Sequence, residues 1–257
     1  YHKLASFLQT EDKFLVICHL DPDGDGVGAT LSLYHALRQL KKEVALACGQ
    51  EMPAIFSFLL ANTQFQKDFL LGDFFHIILI DCGDLQRTGF AQRLKEFAKL
   101  GKKSSFTHQL INIDHHPKND IHRLATLNLV DYNASSTAEM IYKLLQKLPV
   151  KIDGSIATAL LMGIYTDTGG FQHTNTSPQT LQITSHLLSF GGHLPEIVEN
   201  ISLNKSVATL KIWGKVLERA KRGPFGLFSS AVSQKDLQEL GEEESAISGL
   251  ANLMTSS

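Results

Sequence analysis

The sequence has 257 residues, of which 43% are hydrophobic and 19% charged, and its formal net charge at pH 7 is −2. This composition is typical of an ordinary globular protein and excludes the disordered and fibrous classes. The weak negative charge argues against a broad basic surface that would hold long duplex DNA. A short nucleotide held locally is still compatible with it.

The three cysteines stand singly in apolar stretches, at Cys18, Cys48 and Cys82. Without a C-x-x-C pair they exclude zinc-ribbon and thioredoxin-type sites, and we interpret them as buried apolar residues of a protein in a reducing compartment. No apolar run reaches the roughly 18 residues that a membrane helix needs. We therefore expect a cytoplasmic protein that does not enter a membrane.

Short apolar runs alternate with longer amphipathic segments, which is the pattern of a parallel α/β sheet. Five runs predict strands, at residues 14–18, 44–48, 76–80, 109–113 and 124–130. Further segments predict helices, one after the glycine-rich turn that ends near Gly28 and others at residues 54–60, 136–147, 154–167 and 178–190. Ser136 and Glu139 have the spacing of a capping box at the start of one of these helices.

Acidic and imidazole side chains cluster where these elements end. The set, in chain order, is His19, Asp23 and Asp25 after the first strand, Asp81 after the third, Asp114, His115 and His116 after the fourth, and Asp167 at a helix end. Ligands of a parallel sheet bind beyond the carboxyl ends of its strands, so we expect these side chains to share one edge. They would repel one another unless cations lay between them.

Other polar residues at these turns have a structural explanation, because Asp, Ser and Thr are common turn and cap residues and histidines are often satisfied within the protein. We interpret the following residues as turn, cap or otherwise structural residues: Asp84, Asp131, Ser135, Ser136, Thr137, His108 and His173. A structural explanation does not account for the acidic and imidazole residues at the strand ends. These residues are all metal-ligand types, and chance caps would not concentrate them on one edge.

Three other interpretations of the first loop fail. Residues 21–26 begin like an EF-hand calcium loop, but the twelfth position, which needs Glu, is Ser32. The glycines of residues 24–28 miss the dinucleotide-binding spacing, and no Gly-Lys-Ser/Thr of a phosphate-binding loop follows. A metal-binding loop remains, since Asp23 and Asp25 share one side of an extended segment.

Together these motifs resemble the DHH phosphoesterase superfamily, which is named after its Asp-His-His signature. The matching motifs are His19-x-x-Pro22-Asp23-x-Asp25-x-x-Gly28, Asp81, Asp114-His115-His116 and Asp167. Residues 133–138 and 163–171 are similar to the branch of oligoribonucleases (nanoRNases) and 3′-phosphoadenosine-5′-phosphate (pAp) phosphatases. The resemblance covers roughly residues 15–190 and implies a Rossmann-like α/β domain with a parallel sheet.

The resemblance also implies a role for each matched residue. One ion would be held by His19, Asp23 and Asp81, and a second by Asp25, Asp81, His115 and Asp167. Asp81 would bridge the ions, Asp114 would orient its neighbours, and His116 would act on the substrate phosphate. Mixed nitrogen and oxygen ligands suit manganese, so we expect two divalent ions, with Mn²⁺ as the metal.

We therefore expect a manganese-dependent hydrolase that cleaves very short oligonucleotides, or a nucleotide phosphate such as pAp, by in-line displacement with two ions. The alternatives are a cyclic dinucleotide phosphodiesterase, a family II inorganic pyrophosphatase, a single-strand exonuclease and a nucleotide-sensing module without turnover. A homodimer is compatible with the sequence, whereas long duplex DNA and membranes are not expected as partners.

The resemblance implies a second lobe after the metal-binding domain. We expect residues 1–194 to form the DHH domain, residues 195–222 a helical connector, and residues 223–257 the beginning of a C-terminal substrate-binding lobe. No glycine-rich motif with a histidine follows Gly223, so we expect this lobe to be incomplete in the sequence.

Overall fold

The computed structural model describes residues 1–100, 108–117, 120–203, 206–224, 227–242, 247 and 250. The chain forms two compact units, Tyr1–Asn200 and Ile201–Ser257. Within the described ranges, no helix is both long and apolar enough to cross a membrane.

A six-stranded parallel sheet forms the centre of the first unit. Its strands are β1 (Phe14–Cys18), β2 (Val44–Ala47), β3 (Phe65–Gln66), β4 (His76–Ile80), β5 (Gln109–Asp114) and β6 (Leu127–Val130). Their order in the sheet is β3-β2-β1-β4-β5-β6, and each neighbouring pair is parallel. The chain therefore changes direction across the sheet between β1 and β4, where ligands of such folds bind. This confirms the predicted fold class.

Strands β1 and β4 are buried at every position. Both are almost entirely apolar because each face of the sheet is covered by other elements. The helices of the first unit are α1 (His2–Thr10), α2 (Gly24–Gln39), α3 (Ser57–Leu60), α4 (Ala91–Leu100), α5 (Thr137–Leu145), α6 (Gly154–Asp167), α7 (Pro178–Ser189) and α8 (Leu194–Ile197). Leu94 and Phe97 of α4 pack against Leu15 and Ile77 in one apolar cluster.

Helices α2, α5 and α6 pack together beside the sheet, and glycines allow their close approach. A Cβ atom on Gly28 would lie 2.2 Å from the carbonyl oxygen of Ala159 in α6. A Cβ atom on Gly163 would lie 2.5 Å from the Cβ of Ala138 in α5. The first turns of α2 and α5 and the last turn of α6 are thereby brought to one place, next to the carboxyl ends of β1 and β4.

All five predicted strands are present; β1 and β4 have the predicted ends, and the other three have shifted ends. The fifth was predicted at residues 124–130 but begins only at Leu127, because Asp120–Arg123 form a 3-10 turn and a short loop follows. The predicted helix at residues 54–60 divides into a 3-10 turn, Ala54–Phe56, and α3. Helices α1 and α4 and strand β3 were not predicted.

The second unit contains α9 (Val207–Glu218), an antiparallel pair of β7 (Lys221–Arg222) and β8 (Phe228–Ser229), and α10 (Gln234–Leu240). Its apolar cluster includes Ile212, Val216 and Leu237. The boundary between the units falls inside the predicted connector, which holds α8, a π-helical segment at Val198–Leu203, α9 and β7. Residues 225–226, 243–246, 248–249 and 251–257 of the predicted lobe lie outside the described residues.

Candidate metal centre

The first candidate ligand, His19, directly follows β1 and is fully buried. Its Nδ1 lies 2.7 Å from the carbonyl oxygen of Leu20, and since a carbonyl only accepts, Nδ1 carries the ring proton in this hydrogen bond. Its Nε2 has no hydrogen-bond partner among the described residues. This nitrogen lies 3.5 Å from Oδ1 of Asp23 and 3.7 Å from Oδ2 of Asp81. A buried lone pair between two carboxylates is suited to bind a cation.

Asp23 and Asp25 lie at the amino end of α2. Asp23 is the N-cap residue, and its Oδ1 accepts a hydrogen bond from the backbone N–H of Gly26 at 2.9 Å. Burial opposes ionisation of Asp23, but the neighbouring imidazole of His19 and the hydrogen bond from the Gly26 N–H together lower its pKa to about 2. Asp25 is fully buried in the first turn of the same helix.

The amino end of α5 holds the carboxylate of Asp25. Oδ2 accepts a hydrogen bond from the backbone N–H of Thr137 at 2.6 Å, and Oδ1 accepts one from that of Ala138 at 2.8 Å. Burial and the nearby charge of Asp167 nevertheless raise the pKa of Asp25 well above its usual value. A helix amino terminus favours an anion, and a bound cation would add to that effect.

Asp81 lies at the middle of the centre. It is almost fully buried, and its backbone φ of 58° places it in the left-handed region, which costs about 1–3 kcal/mol for a residue with a side chain. Its Oδ1 accepts a hydrogen bond from the hydroxyl of Thr137 at 2.8 Å and lies 3.7 Å from Nε2 of His115. Burial, followed by the charges of Asp25 and other carboxylates, raises the pKa of Asp81 well above its usual value.

The Asp-His-His segment begins at the last residue of β5 and divides its side chains between two tasks. Oδ2 of Asp114 accepts a hydrogen bond from the backbone N–H of Gly83 at 2.7 Å, and Oδ1 accepts one from the N–H of His116 at 3.0 Å. The same Oδ1 lies 2.7 Å from Nδ1 of His116. Burial opposes its ionisation, but the bonds to His116 lower the pKa of Asp114. Asp114 therefore fixes the ring of His116 and leaves Nε2 of that ring for other partners.

His115 faces the carboxylates instead. Its Nε2 lies 3.1 Å from Oδ2 of Asp167 and 3.9 Å from Oδ2 of Asp25, and its Nδ1 lies 3.4 Å from the carbonyl oxygen of Ala134. Burial disfavours the charged ring, but the hydrogen bond to Asp167 and the charges of Asp25 and Asp167 raise the pKa of His115 to about 9. The imidazole is thus surrounded by negative charge.

The structure brings all eight predicted residues together at one edge of the sheet. Three groups have potential ligand atoms within 4.8 Å of one another, namely His19, Asp23 and Asp81, then Asp25, His115 and Asp167, and then Asp81, His115 and His116. The first group has the residues predicted for one ion, and the second has three of the four predicted for the other, without Asp81. Asp81 shares a group with His19 and another with His115, which is the arrangement that a bridging carboxylate needs.

Among the residues interpreted as caps, Ser136 is a cap, whereas Thr137 supports the centre. Ser136 is the N-cap of α5, and its hydroxyl accepts the N–H of Glu139 at 3.0 Å. The predicted capping box is half wrong, because the carboxylate of Glu139 binds the hydroxyl of Ser135 at 2.7 Å instead of closing onto Ser136. Thr137, taken for a cap, contacts Asp81 through its hydroxyl.

The remaining polar residues around the centre are also bonded. Asp84 accepts the N–H of Arg87 at 2.9 Å, and Asp131 accepts that of Asn133 at 3.1 Å. His173 is exposed, and its Nδ1 lies 3.2 Å from the carbonyl oxygen of Asp167. Sequence reasoning did not identify Arg87, whose guanidinium Nη2 lies 3.1 Å from Nδ1 of His19. The signal in the sequence was a basic residue in the turn that follows β4 and Asp81.

Residues 13–164 match the family described as "DHH family, N-terminal domain". The chain belongs to the DHH family. The bifunctional oligoribonuclease and PAP phosphatase NrnA of Thermus thermophilus is 30% identical over 208 residues, which are 80% of this chain and 59% of that protein. The chain thus spans about three fifths of this relative's length. The NrnA of Bacillus subtilis is 27% identical over 256 residues, which are 98% of this chain and 76% of that protein.

The fold also has a counterpart among solved structures. An exopolyphosphatase-related protein from Bacteroides fragilis superimposes with a TM-score of 0.87 at 21% identity, covering 99% of this chain and 75% of that one. At this identity the likeness supports the fold alone. It agrees with the parallel α/β arrangement described above.

Proposed function

We propose that this protein is a metal-dependent phosphoesterase that hydrolyses short oligoribonucleotides or removes phosphate from a nucleotide such as pAp. The observation that carries the proposal is the mixed imidazole and carboxylate cluster at the switch point of the sheet, with the buried, unpartnered Nε2 of His19 facing it. The names of the NrnA relatives support this choice of substrates. The family match supports the reaction class.

The side chains fit a pair of divalent ions. His19, Asp23 and Asp81 would hold one ion, Asp25, His115 and Asp167 would hold the other, and Asp81 would lie between them. Because imidazole nitrogens accompany the carboxylates, we propose manganese rather than calcium. Such ions, when bound, supply a more acidic water and stabilise negative charge on the oxygens around phosphorus.

The chain's own residues would bind and orient the phosphate. Asp114 holds Nδ1 of His116, so that Nε2 of this part-exposed ring is left for a phosphate oxygen or a leaving oxygen. A proton on Nε2 would neutralise charge that develops during the reaction, an effect typically worth about 10²- to 10⁴-fold. Thr137 and the amino end of α5 keep the carboxylates of Asp81 and Asp25 in place.

The division of tasks along the chain is also a proposal. Residues 1–194 would carry the metal centre, residues 195–222 would connect it to the next unit, and residues 223–257 would begin a lobe that binds the nucleotide. For the reaction itself, turnover of pyrophosphate without turnover of an oligonucleotide or pAp would favour the pyrophosphatase interpretation.

A small substrate panel tests the proposed function. The purified chain would be assayed with manganese on a diribonucleotide, pAp, pyrophosphate and a cyclic dinucleotide, with an Asp73→Asn variant as the control, because Asp73 is exposed and lies in a turn before β4. We expect turnover of the diribonucleotide or pAp, its loss on chelation, and better recovery with manganese than with calcium. Full activity in excess chelator, or two bound ions without any turnover, would refute the proposal.

A further inference from the structure

The backbone of Arg87 is fixed between two loops of the metal centre. Arg87 belongs to the 3-10 turn Gln86–Thr88, which follows β4. Its N–H donates to Oδ1 of Asp84 at 2.9 Å, and its carbonyl oxygen accepts the N–H of Leu20 at 2.6 Å. Since Leu20 directly follows His19, the side chain of Arg87 starts from a position that is tied to the metal-binding loop.

The guanidinium of Arg87 lies close to Gly83. Its Nη1 is 3.2 Å from the place that a Cβ atom on Gly83 would occupy. The same place is 3.7 Å from Cγ of His116. Gly83 has a φ of 66°, so the turn favours glycine there, and the absence of a side chain lets the guanidinium and the imidazole both approach this turn.

The donors of this guanidinium are poorly matched by the protein. Among the described residues it makes no ion pair with a carboxylate, and its side-chain contact is with Nδ1 of His19. Nδ1 of His19 carries the ring proton and donates to Leu20, so it cannot accept from Arg87 as well. The facing N–H groups of Arg87 therefore have no acceptor on His19.

Electrostatics favours a further anion at this place. The charge of Asp23 interacts with the guanidinium of Arg87, but divalent ions held by Asp23 would offset that attraction. The planar fork of arginine matches two oxygens of a phosphate, and such charge-assisted bonds are among the strongest in proteins. Arg87 and His116 both border Gly83, so a phosphate near this turn could reach both side chains.

We propose that Arg87, Gly83 and His116 form a phosphate-binding subsite in which the guanidinium of Arg87 binds non-bridging oxygens of the phosphoryl group that is attacked. The subsite lies on the His19 side of the metal centre, and it rests on the proposed phosphoesterase function. Arg87 fixes the phosphate relative to the ions, and His116 contacts the same phosphate. Arg87 is thus a substrate-binding residue in addition to a neighbour of His19.

The experiment compares Arg87→Gln and Arg87→Lys with the unmodified chain and with Arg38→Gln, a matched control in the exposed last turn of α2. Bound manganese is counted by elemental analysis, inorganic phosphate is titrated calorimetrically into the manganese-loaded protein, and KM and kcat are measured on a diribonucleotide. Loss of charged hydrogen bonds worth about 1.5–3 kcal/mol predicts that Arg87→Gln weakens phosphate binding and raises KM by about 10- to 100-fold. Manganese content should be unchanged, and Arg87→Lys should recover only part of the affinity because it lacks the fork.

Three results would overturn the subsite. One is unchanged phosphate affinity and KM in Arg87→Gln. Another is a loss of manganese with normal phosphate affinity in the molecules that remain loaded, which would make Arg87 a positioning residue for His19. The third is a loaded, unmodified chain that does not bind phosphate. A chain without turnover of any substrate refutes the proposed function instead, and the phosphate titration still decides the subsite.

Discussion

Replacing Thr137 with valine removes one hydroxyl from the metal centre and leaves the rest of the residue in place. Valine keeps the branched shape and the backbone N–H that donates to Asp25 at 2.6 Å. It loses the hydroxyl that donates to Oδ1 of Asp81 at 2.8 Å, in a position without solvent exposure. A serine at the same position keeps the hydroxyl and is the matched control.

The size of the effect follows from the burial of both groups. A hydrogen bond to a charged group contributes about 1.5–3 kcal/mol, and water cannot replace the lost donor at a buried site. The charged form of Asp81 binds a cation, so removing a donor that stabilises this form should weaken manganese binding. We expect a decrease in affinity of about 10- to 100-fold for Thr137→Val and much less for Thr137→Ser.

Manganese affinity is measured by calorimetric titration of the metal-free variants at one pH, with circular dichroism as a check of folding. If Thr137→Val binds manganese as tightly as the unmodified chain, the hydroxyl does not stabilise the charged form of Asp81. If Thr137→Ser, which keeps the hydroxyl, is weakened as much as Thr137→Val, the effect is not specific to the hydroxyl and the argument from the hydrogen bond is wrong.

Three further predictions concern single residues. Losing an outer partner of a metal ligand typically reduces activity by about 10- to 100-fold, and Asp81→Asn should reduce activity by more than that. Asp73→Asn should leave activity unchanged, and kinetic assays of both variants measure the difference. His115→Ala should lower manganese content, whereas His116→Ala should keep two ions and lower kcat by about 10²- to 10⁴-fold; equal loss of metal in both would refute this division. Burial lowers the pKa of His76 below 6.5 against the opposing charge of Glu11, so the folded chain should lose stability as the pH falls below 6.5, and thermal unfolding of His76→Leu should lose this part of the pH dependence.

Much of the fold follows from local sequence patterns. β1 and β4 are continuous apolar runs because helices or loops cover both faces, and such runs are recognisable without any tertiary information. β3 has two residues, and it exists because β2 offers a free edge beside it, which is a non-local cause. The late start of β6 has a similar origin, since the apolar residues before Leu127 belong to a turn and a loop.

The candidate ligands were predictable because they stand directly at the ends of strands or of a helix. The roles of Thr137 and Arg87 were not, because they depend on residues that are distant in sequence. Thr137 meets Asp25, which is 112 residues away, and Arg87 meets His19, which is 68 residues away. No pattern within either segment reveals that contact, since it arises only when the ends of α5 and β4 converge on the first loop.

The same convergence explains how acidic groups can stay close together before an ion binds. Both oxygens of Asp25 accept backbone N–H groups from α5, and Oδ1 of Asp81 accepts the hydroxyl of Thr137, so each carboxylate is oriented while lone pairs remain for a cation. The absence of a side chain on Gly163 lets Asp25 approach α6, because a Cβ atom there would lie 2.7 Å from Oδ1 of Asp25. The arriving ion therefore meets ligands whose positions are already set by packed elements, and its binding energy is not spent on ordering loops.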